Sequence, residues 1–349
     1  MRVAVVGAGS WGMALAQALA QTPCEVSLWA RDAATASALR DTRRHPWALP
    51  GVDLDAQVGV GADLRGCVHA ADAVILAVPS HGMRDIAGCL RGNLRHGAVV
   101  VSAAKGFELG TGMRMTEVIG EALEGDVVGV AALSGPNIAI EVARGLPTAT
   151  VVAAAQPDCA EQVRDGCNGG PLRFYSSDDA VGVEFAGALK NVIAIAAGVC
   201  DGIGAGDNGK AAIITRGLAE IARLGIRAGA HGLTFAGLAG LGDCVVTCMS
   251  PHSRNRSLGE QVGRGADPAH AIAATKMVVE GVNATRSALF LADRHGVEMP
   301  IAQEIHAILF ERKSVAAALT DLMNRGAGDE LRGVDLRPPS AGTPLPTDR

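Results

Sequence analysis

Lys190 is the residue whose setting in this sequence best suits acid–base chemistry. It stands in Phe185–Gly198, a run of helical length with no other charge, in a chain that has only five lysines against 26 arginines. An ammonium among apolar side chains loses hydration, which disfavours its charged form and prepares it to exchange a proton with an oxygen. The alternative is a lysine whose stem is buried while its ammonium reaches solvent beside Asn191.

A candidate anion site occupies residues 237–255. This segment combines a glycine-rich stretch, one acid and Ser253-Arg-Asn255 at the expected start of a helix. Arg254 offers a forked cation, and Ser253 and Asn255 add hydrogen-bond donors beside a helix N-terminus. The alternative is that Ser250 or Ser253 caps the helix and that the arginine is a surface residue.

Three side chains that could bind a metal, Cys244, Cys248 and His252, recur at intervals of four residues in the same segment. Pro251 interrupts the helix that would align them, and no fourth ligand is evident. The sequence therefore predicts no metal site. The eight cysteines include no Cys-x-x-Cys, and we expect them to be reduced thiols of a cytoplasmic protein.

Gly7, Gly9 and Gly12 form a Gly-x-Gly-x-x-Gly sequence between an N-terminal apolar run and a helix-like segment, Met13–Gln21. In that context Gly7 makes the turn, Gly9 lets the backbone approach a pyrophosphate, and Gly12 allows close helix–strand packing. The sequence therefore predicts a dinucleotide site at a helix N-terminus, with a flexible glycine loop as the alternative.

Arg31 and Asp32 follow the second apolar run, where dinucleotide-binding folds select the ribose of the cofactor. An acid there holds the 2′-hydroxyl of NAD, whereas an arginine accepts the 2′-phosphate of NADP. Arg31 therefore predicts that NADPH is accepted, while Asp32 leaves NAD open. The alternative for Arg31 is an exposed loop residue.

The elements that position these residues divide the chain near residue 178. Residues 1–178 alternate Val-rich runs with helix-like stretches, which is typical of a doubly wound α/β domain whose mostly parallel sheet is buried on both faces. Strands are predicted at Val3–Val6, Val26–Trp29, Ala73–Val78, Ala98–Ser102, Val128–Leu133 and Thr150–Ala154.

Residues 179–325 show helical patterns only and predict an all-α second domain. Helices are predicted at 179–199, 208–229, 255–263, 268–275, 280–295, 299–310 and 314–324. Residues 326–349 are rich in Gly and Pro and predict a disordered tail.

The bulk composition excludes several classes of partner. The net charge is −5 and the pI is about 6.0, which argues against binding to nucleic acid or to an anionic membrane. An anionic substrate would therefore need a local basic site. Uncharged runs such as residues 127–140 fall short of the ~18–20 residues that span a bilayer. We expect a soluble protein with no membrane insertion.

The sequence strongly resembles the bacterial NAD(P)-dependent glycerol-3-phosphate dehydrogenases from residue 1 to about residue 325. The shared motifs occur in the same order: Gly7–Gly12 with Trp11, Val78-Pro-Ser80, Lys105-Gly106, Ser134-Gly-Pro136, Glu184 to Asn191, Gly206-Asp-Asn208, Gly240-Leu-Gly-Asp243 and Ser253-Arg-Asn255. The resemblance implies a Rossmann domain, a helical substrate domain and a homodimer. It also implies reversible reduction of dihydroxyacetone phosphate to sn-glycerol 3-phosphate with NAD(P)H, which supplies phospholipid synthesis.

The resemblance implies a role for each residue at a matching motif position. Cofactor contacts are implied for Gly7, Gly9, Ser10, Trp11, Gly12, Arg31, Lys105, Ala139, Arg254, Val279 and Glu280. Substrate contacts are implied for Lys105, Gly135, Asn137, Lys190, Asn191, Asp243, Ser253, Arg254 and Asn255. Lys190 would be the catalytic acid/base, Lys105 would stabilise charge on the substrate oxygen, and Asp243 would orient Lys190.

Three apolar departures from the family pattern concern packing rather than chemistry: Ile138 replaces Phe, Trp47 stands in a Tyr-Leu-Pro-like segment, and Cys244 replaces Leu. Two other functions stay open. A ketopantoate-type or other β-hydroxyacid-type reductase would not need the candidate phosphate site around Arg254. A non-catalytic dinucleotide sensor would not need Lys190.

Overall fold

The computed structural model describes residues 1–126, 129–274 and 278–326. The chain divides into two compact units, Met1–Ala180 and Val181–Arg349, called here the first and second unit. Apart from Gly326, the predicted tail lies outside the described residues. The predicted start of a strand at Val128 and the predicted end of a helix at residue 275 also lie outside them.

The first unit is built on one eight-stranded sheet. Its strands are β1 (Arg2–Val6), β2 (Glu25–Trp29), β3 (Gly59–Gly61), β4 (Ala73–Leu76), β5 (Val99–Ser102), β6 (Gly129–Ser134), β7 (Thr148–Ala153) and β8 (Leu172–Ser177). The spatial order is β3-β2-β1-β4-β5-β6-β7-β8, and among the paired strands that the structure describes only β6 and β7 run antiparallel. The direction of winding reverses at β1, so the predicted doubly wound α/β fold is confirmed. The sequence did not predict β3 and β8.

Helices connect these strands and cover both faces of the sheet. They are α1 (Ser10–Leu19), α2 (Ala33–Thr42), α3 (Leu64–Val68), α4 (Met83–Leu90), α5 (Met115–Ala122), α6 (Ala139–Ala143) and α7 (Pro157–Cys167). Val3 and Val5 of β1 lie in one buried cluster, while Ala4 and Val6 lie in a second cluster. Alternate residues of a strand point to opposite faces, so this division buries both faces and explains the unbroken apolar runs.

The second unit is helical throughout its described residues, as predicted. Its helices are α8 (Ala180–Ile203), α9 (Gly206–Arg227), α10 (Asp243–Met249), α11 (Arg254–Gly263), α12 (Pro268–Ala273), α13 (Glu280–His295), α14 (Pro300–Phe310) and α15 (Val315–Asn324). A 3₁₀ turn (Gly232–Ala236) and a π turn (Leu238–Gly242) precede α10.

Helices α8 and α11 approach each other at glycine contacts. A Cβ on Gly198 would lie 2.0 Å from the carbonyl oxygen of Arg256, and a Cβ on Gly259 would lie 2.0 Å from that of Ile195. Only glycine permits this separation of the two backbones. The contact therefore fixes the N-terminus of α11 relative to the middle of α8.

Among the described residues of the second unit, two apolar helical segments are long enough to cross a bilayer by length and composition. The uncharged runs of the sequence are shorter than these segments, because α8 includes Glu184, Lys190 and Asp201 among its 24 residues. The most apolar window of Ala180–Ile203 is 94% buried inside the protein, and that of Gly232–Met249 is 44% buried. A mostly buried apolar helix such as α8 is typical of the core of a soluble protein.

Candidate active site

The glycine loop joins β1 to α1, and each glycine has a distinct geometry. Gly7 has a φ of +113°, and its N–H donates to the carbonyl oxygen of Trp29 at 3.0 Å. A Cβ on Gly12 would lie 1.8 Å from the carbonyl oxygen of Gly7, so a larger residue would displace α1 from the turn. A Cβ on Gly9 would meet no atom within 4 Å, which leaves room for a pyrophosphate to approach the backbone.

The N-terminus of α1 also suits an anion. Gly9 is its N-cap, no side chain caps the helix, and its first turn contains no acidic residue. Exposed N–H groups and the helix dipole at such an end attract phosphate. The Nε1 atom of Trp11 is buried and has no hydrogen-bond partner among the described residues. The residues of this loop therefore fit a dinucleotide.

The end of β2 carries both residues that were predicted to select the ribose. Asp32 is the N-cap of α2, and its Oδ2 accepts from the Thr35 hydroxyl at 2.7 Å and from the Thr35 N–H at 2.8 Å. These hydrogen bonds hold the pKa of Asp32 below its usual value. The carboxylate of Asp32 is thus occupied in capping α2, whereas Arg31 is exposed.

Three predicted substrate-binding residues of the first unit lie together: Lys105, Gly135 and Asn137. Lys105 follows β5, and its Nζ donates to the carbonyl oxygen of Gly135, which follows β6, at 2.9 Å. Asn137 Nδ2 donates to the carbonyl oxygen of Ala149 at 3.3 Å, and the Thr150 hydroxyl lies 3.1 Å from Asn137 Oδ1. The group lies at the carboxyl ends of parallel strands, where open α/β sheets bind ligands.

Lys190 lies in the middle of α8 with its side chain only 6% exposed, so its ammonium is largely shielded from solvent. Nζ donates to Oδ1 of Asp243 at 2.8 Å and to the hydroxyl of Thr247 at 2.5 Å. The side chain of Asp243 is 2% exposed, and Thr247 Oγ1 lies 3.3 Å from its Oδ1. The carboxylate compensates the charge of the buried ammonium and fixes the position of Nζ.

Asn191 joins three helices through Asn255. Oδ1 of Asn191 accepts from Nδ2 of Asn255 at 2.8 Å, and Oδ1 of Asn255 accepts from the N–H of Gly281 at 3.0 Å. The bonds link α8, α11 and α13, and both asparagines are buried. The bond to Asn191 uses one of the two Nδ2 hydrogens of Asn255, and the substrate contact of this residue stays a prediction.

The start of α11 shows a cap and a cation side by side. The hydroxyl of Ser253 accepts from the N–H of Arg256 at 3.2 Å, which is the capping arrangement left open by the sequence. Arg254 is exposed, and its Nη1 donates to the carbonyl oxygen of Val278 at 2.5 Å. Although Arg254 is exposed as a residue, nearby protein atoms partly desolvate its guanidinium and lower the pKa of Arg254, an effect that the charge of Glu280 opposes. The group stays a cation.

The other residues predicted to touch the cofactor stand at helix starts. Ser10 is the first residue of α1, and Ala139 is the first residue of α6. Val279 is the buried N-cap of α13, and Glu280 is its first residue. Their cofactor contacts stay predictions.

Two residues of these clusters, Thr150 and Thr247, were not predicted. Thr247 lies one helical turn after Asp243, so treating that segment as a helix would have indicated it. The glycine-rich approach concealed the helix. On the same helix the thiols of Cys244 and Cys248 are buried and 3.9 Å apart. No group of three or more His, Cys, Asp or Glu residues in the described part of the chain could hold a metal ion.

Two family models match the chain: NAD-dependent glycerol-3-phosphate dehydrogenase N-terminus over residues 2–160, and the C-terminus of the same family over residues 179–320. A glycerol-3-phosphate dehydrogenase (NAD(P)+) of Moorella thermoacetica is 48% identical over 333 residues, covering 95% of this chain and 98% of the relative. A protein of the same name from Streptomyces coelicolor is 46% identical, covering 95% and 99%. The crystal structure of glycerol-3-phosphate dehydrogenase from Coxiella burnetii has a TM-score of 0.87 at 34% identity, covering 93% and 99%.

Proposed function

The chain belongs to the NAD-dependent glycerol-3-phosphate dehydrogenase family, and we propose that it reversibly reduces dihydroxyacetone phosphate to sn-glycerol 3-phosphate with NADH or NADPH. The observation that carries this proposal is the buried ion pair of Lys190 and Asp243. Reduction of a ketone requires a proton for the developing alkoxide, and a desolvated, oriented ammonium is suited to donate it. In the reverse direction the same lysine accepts the proton from the alcohol.

When bound, NAD(P)H supplies the hydride that is transferred to the carbonyl carbon. Lys190 protonates the oxygen, and Asp243 with Thr247 holds Nζ in place. By its motif position, Lys105 is proposed to stabilise negative charge that develops on the substrate during the transfer, because a cation favours the transition state over the neutral ketone. Asn191 follows Lys190 in α8 and links that helix to α11 through its hydrogen bond with Asn255.

Arg254 and Asn255 are proposed to bind the phosphate group. The protein carries a net charge of −5, so a dianionic substrate needs local positive charge and hydrogen-bond donors. Arg254 offers an exposed guanidinium at the N-terminus of α11, and Asn255 retains an Nδ2 hydrogen there. Binding energy from this remote group would position the reacting carbon. The helix-capping Ser253 and the loop residues Gly135 and Asn137 complete the proposed substrate set.

The cofactor is proposed to lie on the glycine loop, with its pyrophosphate over Gly9 and the N-terminus of α1. Arg31 supports acceptance of NADPH, because its guanidinium is exposed while Asp32 caps α2. By the family resemblance, we also propose that the protein is a cytoplasmic homodimer and that its product enters phospholipid synthesis.

A panel of ketones tests the substrate. The purified protein should oxidise NADH and NADPH rapidly with dihydroxyacetone phosphate, and far more slowly with unphosphorylated dihydroxyacetone or ketopantoate. Similar rates with all three ketones would reject the phosphate requirement. Tight cofactor binding without turnover on any ketone would indicate the non-catalytic sensor instead.

A further inference from the structure

Arg256 of α11 connects three segments of the second unit. Its side chain is 16% exposed, and Nη1 donates to Oδ2 of Asp201, near the end of α8, at 2.6 Å. Nε donates to the carbonyl oxygen of Ser250, which follows α10, at 3.2 Å. Nη2 lies 3.1 Å from Oε2 of Glu260, one turn further along α11. A single guanidinium therefore joins α8, the turn after α10, and α11.

Asp201 is fixed in turn by a second cation, Lys210 of α9. Nζ of Lys210 lies 2.8 Å from each carboxylate oxygen of Asp201. Burial opposes ionisation of this carboxyl group, but the hydrogen bonds from Lys210 and Arg256 outweigh burial and hold the pKa of Asp201 below its usual value. The carboxylate is therefore charged at neutral pH. It links α9 and α11 to α8 through charge-assisted hydrogen bonds, which restrain direction as well as distance.

The turn that Arg256 contacts, residues 250–253, separates two parts of the proposed substrate site. Helix α10, before the turn, carries the two side chains that hold the catalytic ammonium. Helix α11, after the turn, begins with Arg254 and Asn255. The bond from Nε to the carbonyl oxygen of Ser250 ties the first turn of α11 back to the end of α10. It therefore restrains the direction in which α11 leaves the turn.

Arg256 is placed to position the proposed phosphate site rather than to bind the phosphate. Residues two apart on a helix do not face each other, so Arg256 and Arg254 point to different sides of α11. Nη1 of Arg254 reaches the carbonyl oxygen of Val278, whereas all three nitrogens of the Arg256 guanidinium already contact acceptors of the second unit.

The ion pair adds to the glycine contacts between α8 and α11. A Cβ on Gly202 would lie 2.5 Å from the carbonyl oxygen of Glu260, so the two backbones also touch near the end of α8. Glycine contacts set how closely two helices approach, but they include no side chain that opposes sliding along the helix axis. The directional bonds between Arg256 and Asp201 supply that restraint.

We propose that Arg256, anchored by Asp201 and Lys210, is a positioning residue that orients the N-terminus of α11 so that Arg254 and Asn255 contact the phosphate group of the substrate. This role rests on the proposed function, which assigns the phosphate to this helix start. Because a displacement of about 1 Å at a binding group can cost up to about 10²-fold in activity, a looser α11 should bind the phosphate less well.

The expected signature is a change in KM that exceeds the change in kcat. Loss of the Arg256 side chain should raise KM for dihydroxyacetone phosphate about tenfold. It should lower kcat by less than about threefold, because Lys190 keeps its partners on α10.

Steady-state reduction of dihydroxyacetone phosphate by the full-length protein tests this role. The variants are Arg256→Met, Arg256→Lys, Asp201→Asn and the double variant Arg256→Met/Asp201→Asn. The matched control is Arg264→Met, because Arg264 pairs with the same Glu260 but is 68% exposed. Its KM should equal that of wild type. Arg256→Lys should restore part of the loss, since a lysine keeps the charge but lacks the fork. The double variant should be no worse than Arg256→Met to within about twofold, because Arg256 acts through Asp201.

Inorganic phosphate provides a second readout, which a general loss of stability would not change in this way. Its Ki as a competitor of dihydroxyacetone phosphate should rise in parallel with KM in Arg256→Met, while the Kd for NADH stays within about threefold of wild type. If Arg256→Met does not fold, Arg256→Lys and Asp201→Asn decide the question by the same ratios.

Wild-type KM and Ki values in Arg256→Met and Asp201→Asn would overturn the positioning role and leave the proposed function intact. Increases in KM that multiply in the double variant would also overturn it, because the two residues would then act independently. A wild-type protein that does not reduce dihydroxyacetone phosphate would overturn the proposed function, and this role with it.

Discussion

Replacing one member of the buried Lys190–Asp243 pair should destabilise the second unit more than replacing both. The two side chains are 6% and 2% exposed, so Lys190→Met leaves a carboxylate in the core without its ammonium. Removing one partner of such a pair typically costs about 3–5 kcal/mol, whereas apolar replacement of both is often close to neutral. Thr247 still contacts Asp243 in Lys190→Met, so we expect a loss of stability at the lower end of this range, about 3 kcal/mol.

Urea unfolding at pH 7 measures this effect when it is followed by circular dichroism at 222 nm. The three tryptophans, Trp11, Trp29 and Trp47, lie in the first unit, so their fluorescence would not report on the helical unit. Lys190→Met and Asp243→Leu should each lower the free energy of unfolding by about 3 kcal/mol, and the double variant should recover most of that loss.

A matched control is Lys210→Met, since the Lys210 side chain is 19% exposed and also pairs with an aspartate. Its better access to water should limit the loss to about 1 kcal/mol. If the losses from Lys190→Met and Asp243→Leu instead add in the double variant to within about 0.5 kcal/mol, the two charges are not coupled. The account of this site would then be wrong.

Four further predictions concern single residues. Gly9→Ala should fold normally, because its Cβ meets no protein atom, but the added methyl group should weaken binding of NADH and NADPH. Gly12→Ala should lower Tm, because its Cβ would overlap the backbone of Gly7. Equal Tm values for the two variants would contradict this prediction. Arg31→Asp should raise KM for NADPH far more than for NADH, and equal effects would mean that this residue does not contact the ribose. The carboxylate of Glu220 accepts from the N–H groups of Ile301 at 2.9 Å and Ala302 at 3.4 Å, at the start of α14. Burial raises the pKa of Glu220 from 4.5 to about 7, so between these pH values the folded state binds more protons than the unfolded state. Stability should therefore fall by about 3 kcal/mol as pH rises from 4.5 to 7 and then level off, and a Glu220→Gln variant that keeps the same slope would refute the assignment. Arg254→Ala and Arg254→Lys should both raise KM for dihydroxyacetone phosphate, and the alanine variant should raise it more. Turnover of unphosphorylated dihydroxyacetone should change little. Equal losses of activity on both ketones would mean that Arg254 does not bind the phosphate.

The sequence predicted the sheet where strands are buried on both faces and failed where they are not. Strands β1, β4 and β5 are continuous apolar runs, which need no partner to be recognised. Strand β8 alternates instead: Leu172 and Phe174 are buried, while Arg173 and Tyr175 are exposed at the sheet edge. Strand β3 has three residues, two of them glycine, and it forms because it pairs with β2. That dependence on a neighbour is not visible in a local pattern.

The candidate site was predictable where a residue contrasts with its surroundings. Lys190 was found because it is the one charge in an apolar run, and the glycine loop because its spacing follows a strand. Thr247 was missed because α10 follows a glycine-rich π turn that carries no helical signal of its own. The sequence could not predict the contacts of Asn255 with α8 and α13 either, because they depend on the glycine contacts that set how closely α8 and α11 pack.

The central claim is that Lys190 donates the proton in the reduction of dihydroxyacetone phosphate. Stopped-flow oxidation of prebound NADH at saturating dihydroxyacetone phosphate tests it most directly, with wild type and Lys190→Ala compared at pH 7. The rate of the first turnover should fall by about 10²–10⁴-fold in the variant, while the Kd for NADH stays within about threefold. A variant that retains more than a tenth of the wild-type rate would show that another group supplies the proton.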